Sequence, residues 1–327
     1  MKKLVQNFPN QLREAIAIGE KSSIRKSPSE IRSVLITGLG GSGIGGTIVS
    51  EIVADECTIP ILVNKDYFLP ACVNQHSLVI VSSYSGNTEE TIQAMEAALK
   101  AKAKIVCISS GGKISEMAKQ NNCDLVTIPG GMPPRSCLGY SLTQLFFILN
   151  GLKLIGDSFK TQLKDAVDLI VTEEQAIKLE ATAIAEFLYE RTPVIYAVDG
   201  YNGVATRFRQ QINENSKMLC WHHILPEMNH NELVGWAGGW ANLAVIILRN
   251  KTDYSRTQTR IEISKEIFSK HTSHVRELWS KGNSQLEKSI YLIHLTDWAS
   301  CYLADKNGVD AIEINVINQL KGSLAKI

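Results

Sequence analysis

Apolar and polar positions follow two different periods along this chain. Short runs of Val, Ile and Leu are each followed by a turn rich in Gly, Ser or Asn, then by a stretch with helical spacing of its apolar residues. Residues 9–26 carry the helical period alone. SVLITGLGGSGIGGTIVSEIVADE (33–56) reads as a buried strand, a glycine loop and a helix, and IPILVNKD (59–66) as a second short strand. HSLVIVSSYSGNTEETIQAMEAALKAKA (76–103) repeats strand, loop and helix. KIVCISSGGKISEMAKQNN (104–122) does so again, and DLVTIPGG (124–131) supplies another strand. Runs of Val and Ile without strict alternation belong to strands covered on both faces, and interposed helices make the sheet parallel. Residues 140–156 predict a helix that closes this first half.

The second half opens near residue 160 with a long helical stretch, DAVDLIVTEEQAIKLEATAIAEFLYE. TPVIYAVDGYNGVATRF (192–208) then repeats the strand, glycine loop and helix. At an offset of 160 residues Val34 meets Val194, Gly40 meets Gly200 and Gly43 meets Gly203. That register predicts a duplication: two α/β/α sandwich domains with mainly parallel sheets, residues 1–156 and 157–327. Further strands are expected at 217–224, 243–249 and 289–295, a polar helical pair at 253–281 and a terminal helix at 310–325. No low-complexity linker separates the halves, so they are expected to pack tightly.

Composition narrows the function. Lys and Arg total 34 against 33 Asp and Glu, and no basic block is visible. A nucleic-acid or anionic-membrane protein would show a basic patch; neither partner is expected, and any anionic ligand must be small and met by local geometry. The seven cysteines have no C-x-x-C spacing, which suits reduced thiols of a cytoplasmic protein rather than a disulfide framework or zinc knuckle. Arg13 and Glu14 interrupt any signal-peptide core, and the longest uncharged stretches are laced with Gly, Ser, Asn or Gln.

Gly38-x-Gly40-x-x-Gly43, after a strand and before a helix, satisfies the dinucleotide fingerprint, and Asp66 falls where an acidic ribose ligand would stand. An NAD-dependent dehydrogenase is therefore one reading. The loop is richer than that pattern needs, however, with Ser42 at its centre. A second loop, from Ser82 to Thr91, adds the hydroxyls of Ser83, Ser85 and Thr88 at another helix N-terminus. Three hydroxyl donors and free N–H groups suit the three oxygens of a terminal phosphate monoester. No P-loop lysine is present. The plainer alternative is that these residues cap the helix, with Glu89, Glu90 and Thr91 as capping-box material.

S-x-S-G-x-T-x-E after a strand, preceded by G-G-S-G, resembles the sugar isomerase (SIS) domain. The likeness covers both halves, the second in degenerate form: at the offset of 160 the hydroxyl loop becomes NLAVIILRN, so one phosphate site per chain follows. PPRSCLGY (133–140), QQINENSK (210–217), LPEMNHNELVGW (225–236) and LKGSL (320–324) resemble one branch of that superfamily, the bifunctional phosphoglucose/phosphomannose isomerases. The resemblance implies two SIS domains and an aldose–ketose isomerase acting on hexose 6-phosphates through a cis-enediol, with no cofactor and no metal. It implies phosphate binding by Gly41, Ser42, Ser83, Ser85 and Thr88, Glu214 as base and His230 as ring-opening group. It further implies Arg135 near the developing oxyanion, Lys321 at the sugar ring, and a homodimer whose active site takes a histidine from the neighbouring subunit.

Each residue has a plainer reading. Glu214 falls near the C-terminal end of a predicted helix, where an exposed carboxylate is disfavoured by ~0.3–1 kcal/mol, and Glu232 is an alternative base. Arg135 after two prolines fits an inter-domain salt bridge, and Lys321 fits helix-end charge. Trp236 and Trp240 read as packing, and His222-His223 lack the partners of a metal site. One departure matters: the threonine that mannose-using relatives carry before the terminal lysine is missing from DAIEINVINQL (310–320), leaving Thr296 and Asn315 as polar candidates. The motif thus supports glucose 6-phosphate more directly than mannose 6-phosphate. The alternative of a different class is a non-catalytic SIS-domain sugar-phosphate sensor.

Overall fold

The computed structural model describes every residue except 239–241, 325 and 327. The first sheet contains β1 (Ser33–Thr37), β2 (Ile61–Asn64), β3 (Ser77–Ser82), β4 (Lys104–Ser109) and β5 (Asp124–Thr127), all parallel, in the order β2-β1-β3-β4-β5. The second contains β6 (Thr192–Val198), β7 (Trp221–Leu225), β8 (Leu243–Arg249) and β9 (Val275–Trp279), again parallel, in the order β7-β6-β8-β9. The duplication is real at the level of register. Val34 pairs with Ile61 and Val194 with Trp221, both pairs separated by the same offset of 160.

Coverage on both faces explains the unbroken Val and Ile runs. In β1, Val34 and Ile36 join the large core, whereas Leu35 joins a smaller cluster with Val79, Val81, Met95 and Ile114 on the opposite face. β8 is buried at every position. The large core runs from Leu12 through Val194 to Leu303 without a break between the halves, so they pack tightly, as the missing linker implied. Two helices that are apolar around most of their circumference lie inside it: Leu138–Gly151, buried from Leu138 through Leu149, and Gln285–Lys306, buried from Leu286 through Cys301.

That second helix corrects the expectation of a strand at 289–295. A short apolar run has no period that separates strand from helix. Ile290 and Ile293 each lose less than about 0.7 kcal/mol of helix propensity against Ala, but about 1.5–3 kcal/mol is gained by burying each. The deciding local signal was Ser284-x-x-Glu287, which forms a reciprocal capping box. The polar pair at 253–281 is one helix, Ser255–Phe268, followed by β9; VRELW is short enough to sit at the sheet edge. The long helical stretch near 160 is two helices, Ser158–Thr172 and Glu174–Leu188, and the terminal helix is Asn315–Leu324. Among the described residues no helix is long and apolar enough to cross a membrane.

Candidate active site

The chain order of the first sheet reverses between β1 and β3, and the turns after these adjacent parallel strands share one edge. That switch point is where open α/β sheets hold ligands, and the order 2-1-3-4-5 is the flavodoxin-like one rather than that of dinucleotide dehydrogenases. The turn after β1 is pressed together by contacts only glycine allows. A Cβ on Gly43 would lie 2.2 Å from the Gly38 oxygen, and one on Gly38 2.5 Å from the Ser82 oxygen. The helix Gly40–Ile52 therefore begins directly against β3. Ser42 Oγ accepts the Tyr84 N–H at 3.1 Å and ties the two turns to each other.

In the second turn the Ser83 hydroxyl donates to Thr88 Oγ1 at 3.1 Å, and Ser85 Oγ accepts the Asn87 N–H at 3.3 Å. Thr88 is the N-cap of the helix Glu89–Lys100, yet its side chain makes no capping bond. The capping reading therefore fails for Thr88: its hydroxyl is not spent on the helix. The N–H groups of Gly40 and Gly41, and of Glu89 and Glu90, have no carbonyl one turn back, whereas the Ser42 N–H donates to the Leu39 carbonyl at 3.1 Å. Donors that nothing in the helix satisfies and hydroxyls within one turn of them form a cradle for an anion. Tyr84, which the motif left without a role, locks the cradle: its hydroxyl accepts the Met132 N–H at 3.1 Å and its carbonyl accepts the Ser110 hydroxyl at 2.7 Å. Burial pushes its phenol up to about 12.

Gly41 brings the next element in. Its backbone packs where a Cβ would be 3.0 Å from the Pro134 oxygen and 3.2 Å from Arg135 Cα. Arg135, only 3% exposed, sits in the short turn Pro134–Ser136. It donates through Nε to Asn215 Oδ1 at 2.8 Å, and Nη1 lies 3.5 Å from Glu214 Oε2. Its Nη2 donates to the Ala311 and Ile312 carbonyls at 2.5 and 3.1 Å. Burial lowers the guanidinium pKa, while the Glu214 charge works the other way. The expected inter-domain salt bridge and the expected site residue are thus the same interaction.

Glu214 and Asn215 belong to the helix Asn202–Ser216. The cost of a carboxylate at a helix C-terminus is offset here by the guanidinium. Arg207, one face of the same helix further back, donates to the Arg135 carbonyl at 3.1 Å and pairs with buried Asp297 at 2.6 Å. Gln211 also donates to Asp297, at 3.1 Å, and Asn215 to Ser300 Oγ at 2.9 Å. This helix therefore fixes Arg135 at both backbone and side chain while presenting Glu214 beside it. Sequence reasoning missed Arg207, Asn215, Lys217 and Asp297. One signal was available: Asp297 interrupts a long apolar run, and a charge there calls for a partner.

Glu232 is no free base. Its Oε1 accepts Tyr196 OH at 2.6 Å and Trp221 Nε1–H at 3.1 Å, and its Oε2 meets His223 Nδ1 at 2.9 Å. The carboxylate thus pins the segment that carries His230, which ends the turn Glu227–His230 in an exposed position. Trp236 is packing, as expected: buried, with its ring 4.7 Å from Phe268; Trp240 lies outside the described residues. His222 bonds Thr206 Oγ1 at 2.9 Å and Asn202 Oδ1 at 3.1 Å, and burial lowers it to about 4. Thr296 is a core residue whose hydroxyl donates to the Leu292 carbonyl at 2.8 Å, which removes it as a substitute for the missing threonine; Asn315 starts the exposed terminal helix. Lys321 is exposed on that helix. Within one chain the structure brings together Arg135, Glu214 and the glycine turn. No hydrogen bond or ion pair joins His230 or Lys321 to them among the described residues.

The C-terminal SIS domain of bacterial phospho-glucose isomerases matches residues 177–324. Over 334 residues the chain is 38% identical to the bifunctional phosphoglucose/phosphomannose isomerase of Caldicellulosiruptor bescii, a match that covers 99% of this chain and 98% of that protein. It is 35% identical over 327 residues to the protein of the same name from Aquifex aeolicus, covering 99% and 98%. Among solved structures, the C-terminal domain of glucosamine-fructose-6-phosphate aminotransferase from Francisella tularensis superposes with a TM-score of 0.76, covering 96% of this chain and 98% of that one. At 15% identity that likeness is one of fold.

Proposed function

This chain belongs to the bifunctional phosphoglucose/phosphomannose isomerase family of SIS-domain proteins, and from that premise we propose that it interconverts glucose 6-phosphate and mannose 6-phosphate with fructose 6-phosphate. The phosphate dianion sits at the two helix N-termini, held by the turn at Gly41 and Ser42 and by the hydroxyls of Ser83, Ser85 and Thr88. Glu214 removes the proton from one of C1 and C2 and returns it to the other, and a single carboxylate suffices for both transfers through a cis-enediol. Arg135 stabilises the negative charge that develops on oxygen; a cation desolvated beforehand acts more strongly there than one in water. Lys321 closes over the sugar ring.

Ring opening falls to His230. Because His230 is exposed and apart from Glu214 within one chain, the proposal takes it from a second copy, in a homodimer with shared active sites. The division at residues 156 and 157 assigns the phosphate cradle to one domain and Glu214, His230 and Lys321 to the other. A cytoplasmic location fits the seven unpaired cysteines. The observation that carries this reading is the junction of a buried Arg135 with a carboxylate 3.5 Å away, packed directly on the glycine turn. In a sugar-phosphate sensor that pair would serve only to hold the two halves together, whereas in an isomerase it also supplies base and cation.

The deciding experiment replaces Glu214 by Gln, which keeps shape and removes the base. A positioned base contributes roughly 10²–10⁴-fold, so kcat falls by at least the lower bound while KM holds. Exchange of solvent deuterium into C2 of glucose 6-phosphate disappears in parallel. Retained turnover and exchange in the folded variant overturn the assignment. Binding without any exchange in the native protein favours the sensor.

A further inference from the structure

Lys217 follows immediately on the helix that carries Glu214 and stands in the left-handed region, φ +56 and ψ 38. Gly or Asn is the usual occupant of such a helix end, because a Cβ is disfavoured there. Lys102 and Lys153 stand in the same region, at φ +56 and +61, so the corner alone assigns no role; what sets Lys217 apart is its side chain. Its ammonium spends three donors on three carbonyls: Glu214 at 2.6 Å, Asp310 at 2.9 Å and Glu313 at 2.8 Å. The first is the carbonyl of the proposed base itself, in the last turn, where carbonyls lack a helical partner. Burial lowers the ammonium pKa, with the Arg135 charge adding to that and Glu313, Asp310 and Glu214 opposing it.

The other two carbonyls belong to a segment that Arg135 grips as well, through Ala311 and Ile312. Four consecutive carbonyls, from Asp310 to Glu313, are thus held by the two cations that flank Glu214. Asn307 Nδ2 adds a bond to the Ser216 carbonyl at 2.9 Å. Directly beyond begins the helix Asn315–Leu324, which has no buried residue to fix its own position. Its start is set by the clamp and not by packing of its faces within the chain.

We infer that Lys217 is a positioning residue that registers the C-terminal arm, and with it Lys321, against Glu214. The inference rests on the reading of Glu214 as base and Lys321 as a ring contact. It adds a residue for which the motifs gave no role. Arg135 and Lys217 share the work: one faces the reacting carbons and grips the arm, the other only grips the arm and the helix end.

The test is a kinetic cycle on the full-length protein with Lys217→Met, Lys321→Ala and both together, plus Lys217→Arg as the conservative variant. A misplacement of about 1 Å costs on the order of 10²-fold in rate, so Lys217→Met lowers kcat by about that factor. KM for fructose 6-phosphate stays near native, since the phosphate cradle is untouched. The double variant is no slower than Lys321→Ala alone, because a lysine that acts through the arm has nothing left to position. Lys217→Arg recovers most of the rate. Additive losses, native kcat in Lys217→Met, or native kcat in Lys321→Ala each overturn the inference. Where Lys217→Met gives no cooperative melt, Lys217→Gln is read instead; if that also fails to fold, the lysine is a structural cap and the positioning role is wrong. Glu214→Gln run in parallel separates the two levels. An active Glu214→Gln sinks the base assignment, whereas an inactive one beside a fully active Lys217→Met sinks only the role of Lys217.

Discussion

The glycine turns after β1 and after β6 are built alike and surround their helix starts with opposite groups. Each follows a central parallel strand and opens a helix, at Gly40 in one half and Asn202 in the other. In the first half the helix start is joined by Ser42 and by the hydroxyl loop after β3. In the second half the same position is filled from inside the molecule: Glu51, on the first glycine helix, accepts the Gly203 N–H at 3.0 Å. The turn after β8, the counterpart of the hydroxyl loop, is closed by Asp253, which accepts the Asn250 N–H at 2.9 Å. One half offers N–H and hydroxyl donors to a ligand, and the other has met its donors with its own carboxylates. In the proposed reading a dianion is met by the first turn and finds no open donors at the second. In the proposed mechanism the second helix contributes at its far end instead, through Glu214, so the duplication gives two scaffolds and, among the described residues, one proposed phosphate cradle.

The sharpest way to break this contrast is to strip hydroxyls from the first turn. Ser85→Ala with Thr88→Val removes two hydrogen bonds to a charged group, each contributing ~1.5–3 kcal/mol. KM should rise by at least tenfold and in the region of 10²-fold, with kcat much less affected. The matching change in the second half, Asp253→Asn, should leave KM alone. An unchanged KM in the first variant, or an equal rise in both, would remove the asymmetry.

Next in size is a mixing experiment. Glu214→Gln and His230→Ala proteins, each close to inactive, are combined under conditions in which subunits exchange. In a symmetric dimer with shared sites, one site of each mixed dimer regains both groups, so activity returns to about a quarter of native. Activity that stays at the parental background, despite demonstrated exchange, means that His230 does not serve the neighbouring Glu214.

The smallest effect concerns the carboxylate that fills the second turn. Burial raises Glu51 from 4.5 to about 7; the Gly203 N–H and Lys65 oppose the shift and Asp199 adds to it. The folded protein therefore holds a proton that the unfolded chain has already released between these values. The associated stability is full below 4.5 and lost as pH rises through about 7. Glu51→Gln keeps an oxygen for Gly203 and cannot ionise, so its gain in melting temperature over native should be larger at about pH 8 than at about pH 5. A gain independent of pH would show that Glu51 is not titrating in that place.

The elements of the first half were legible because each rests on a local pattern. Every strand from β1 to β5 fell within its expected stretch, and the two loops of the proposed phosphate cradle each follow such a strand. The second half was less legible. The helix around Ile290 and Ile293 looks like a strand unless the capping box before it is read, since burial on all sides erases the helical period. The candidate site divides in the same way. Ser42, Ser83, Ser85 and Thr88 stand out by spacing, and Arg135 and Glu214 were proposed through motif resemblance. Of their supports, Lys217 ends the quoted motif QQINENSK without an assigned role, and Arg207 on the Arg135 carbonyl carries no local mark.

By itself, then, the sequence determined the parallel α/β class, the repeat at 160 residues and the two hydroxyl- and glycine-rich turns, because propensity, period and turn chemistry act between near neighbours. Tertiary structure alone decided that Arg135 meets Glu214, that Glu232 is consumed by Tyr196, Trp221 and His223, and that Glu51 occupies the second glycine turn. The first and last of those outcomes join residues far apart in the chain. The partner of a buried charge is set by which helices cross and at what height, and that geometry is a property of the packed core rather than of any one segment.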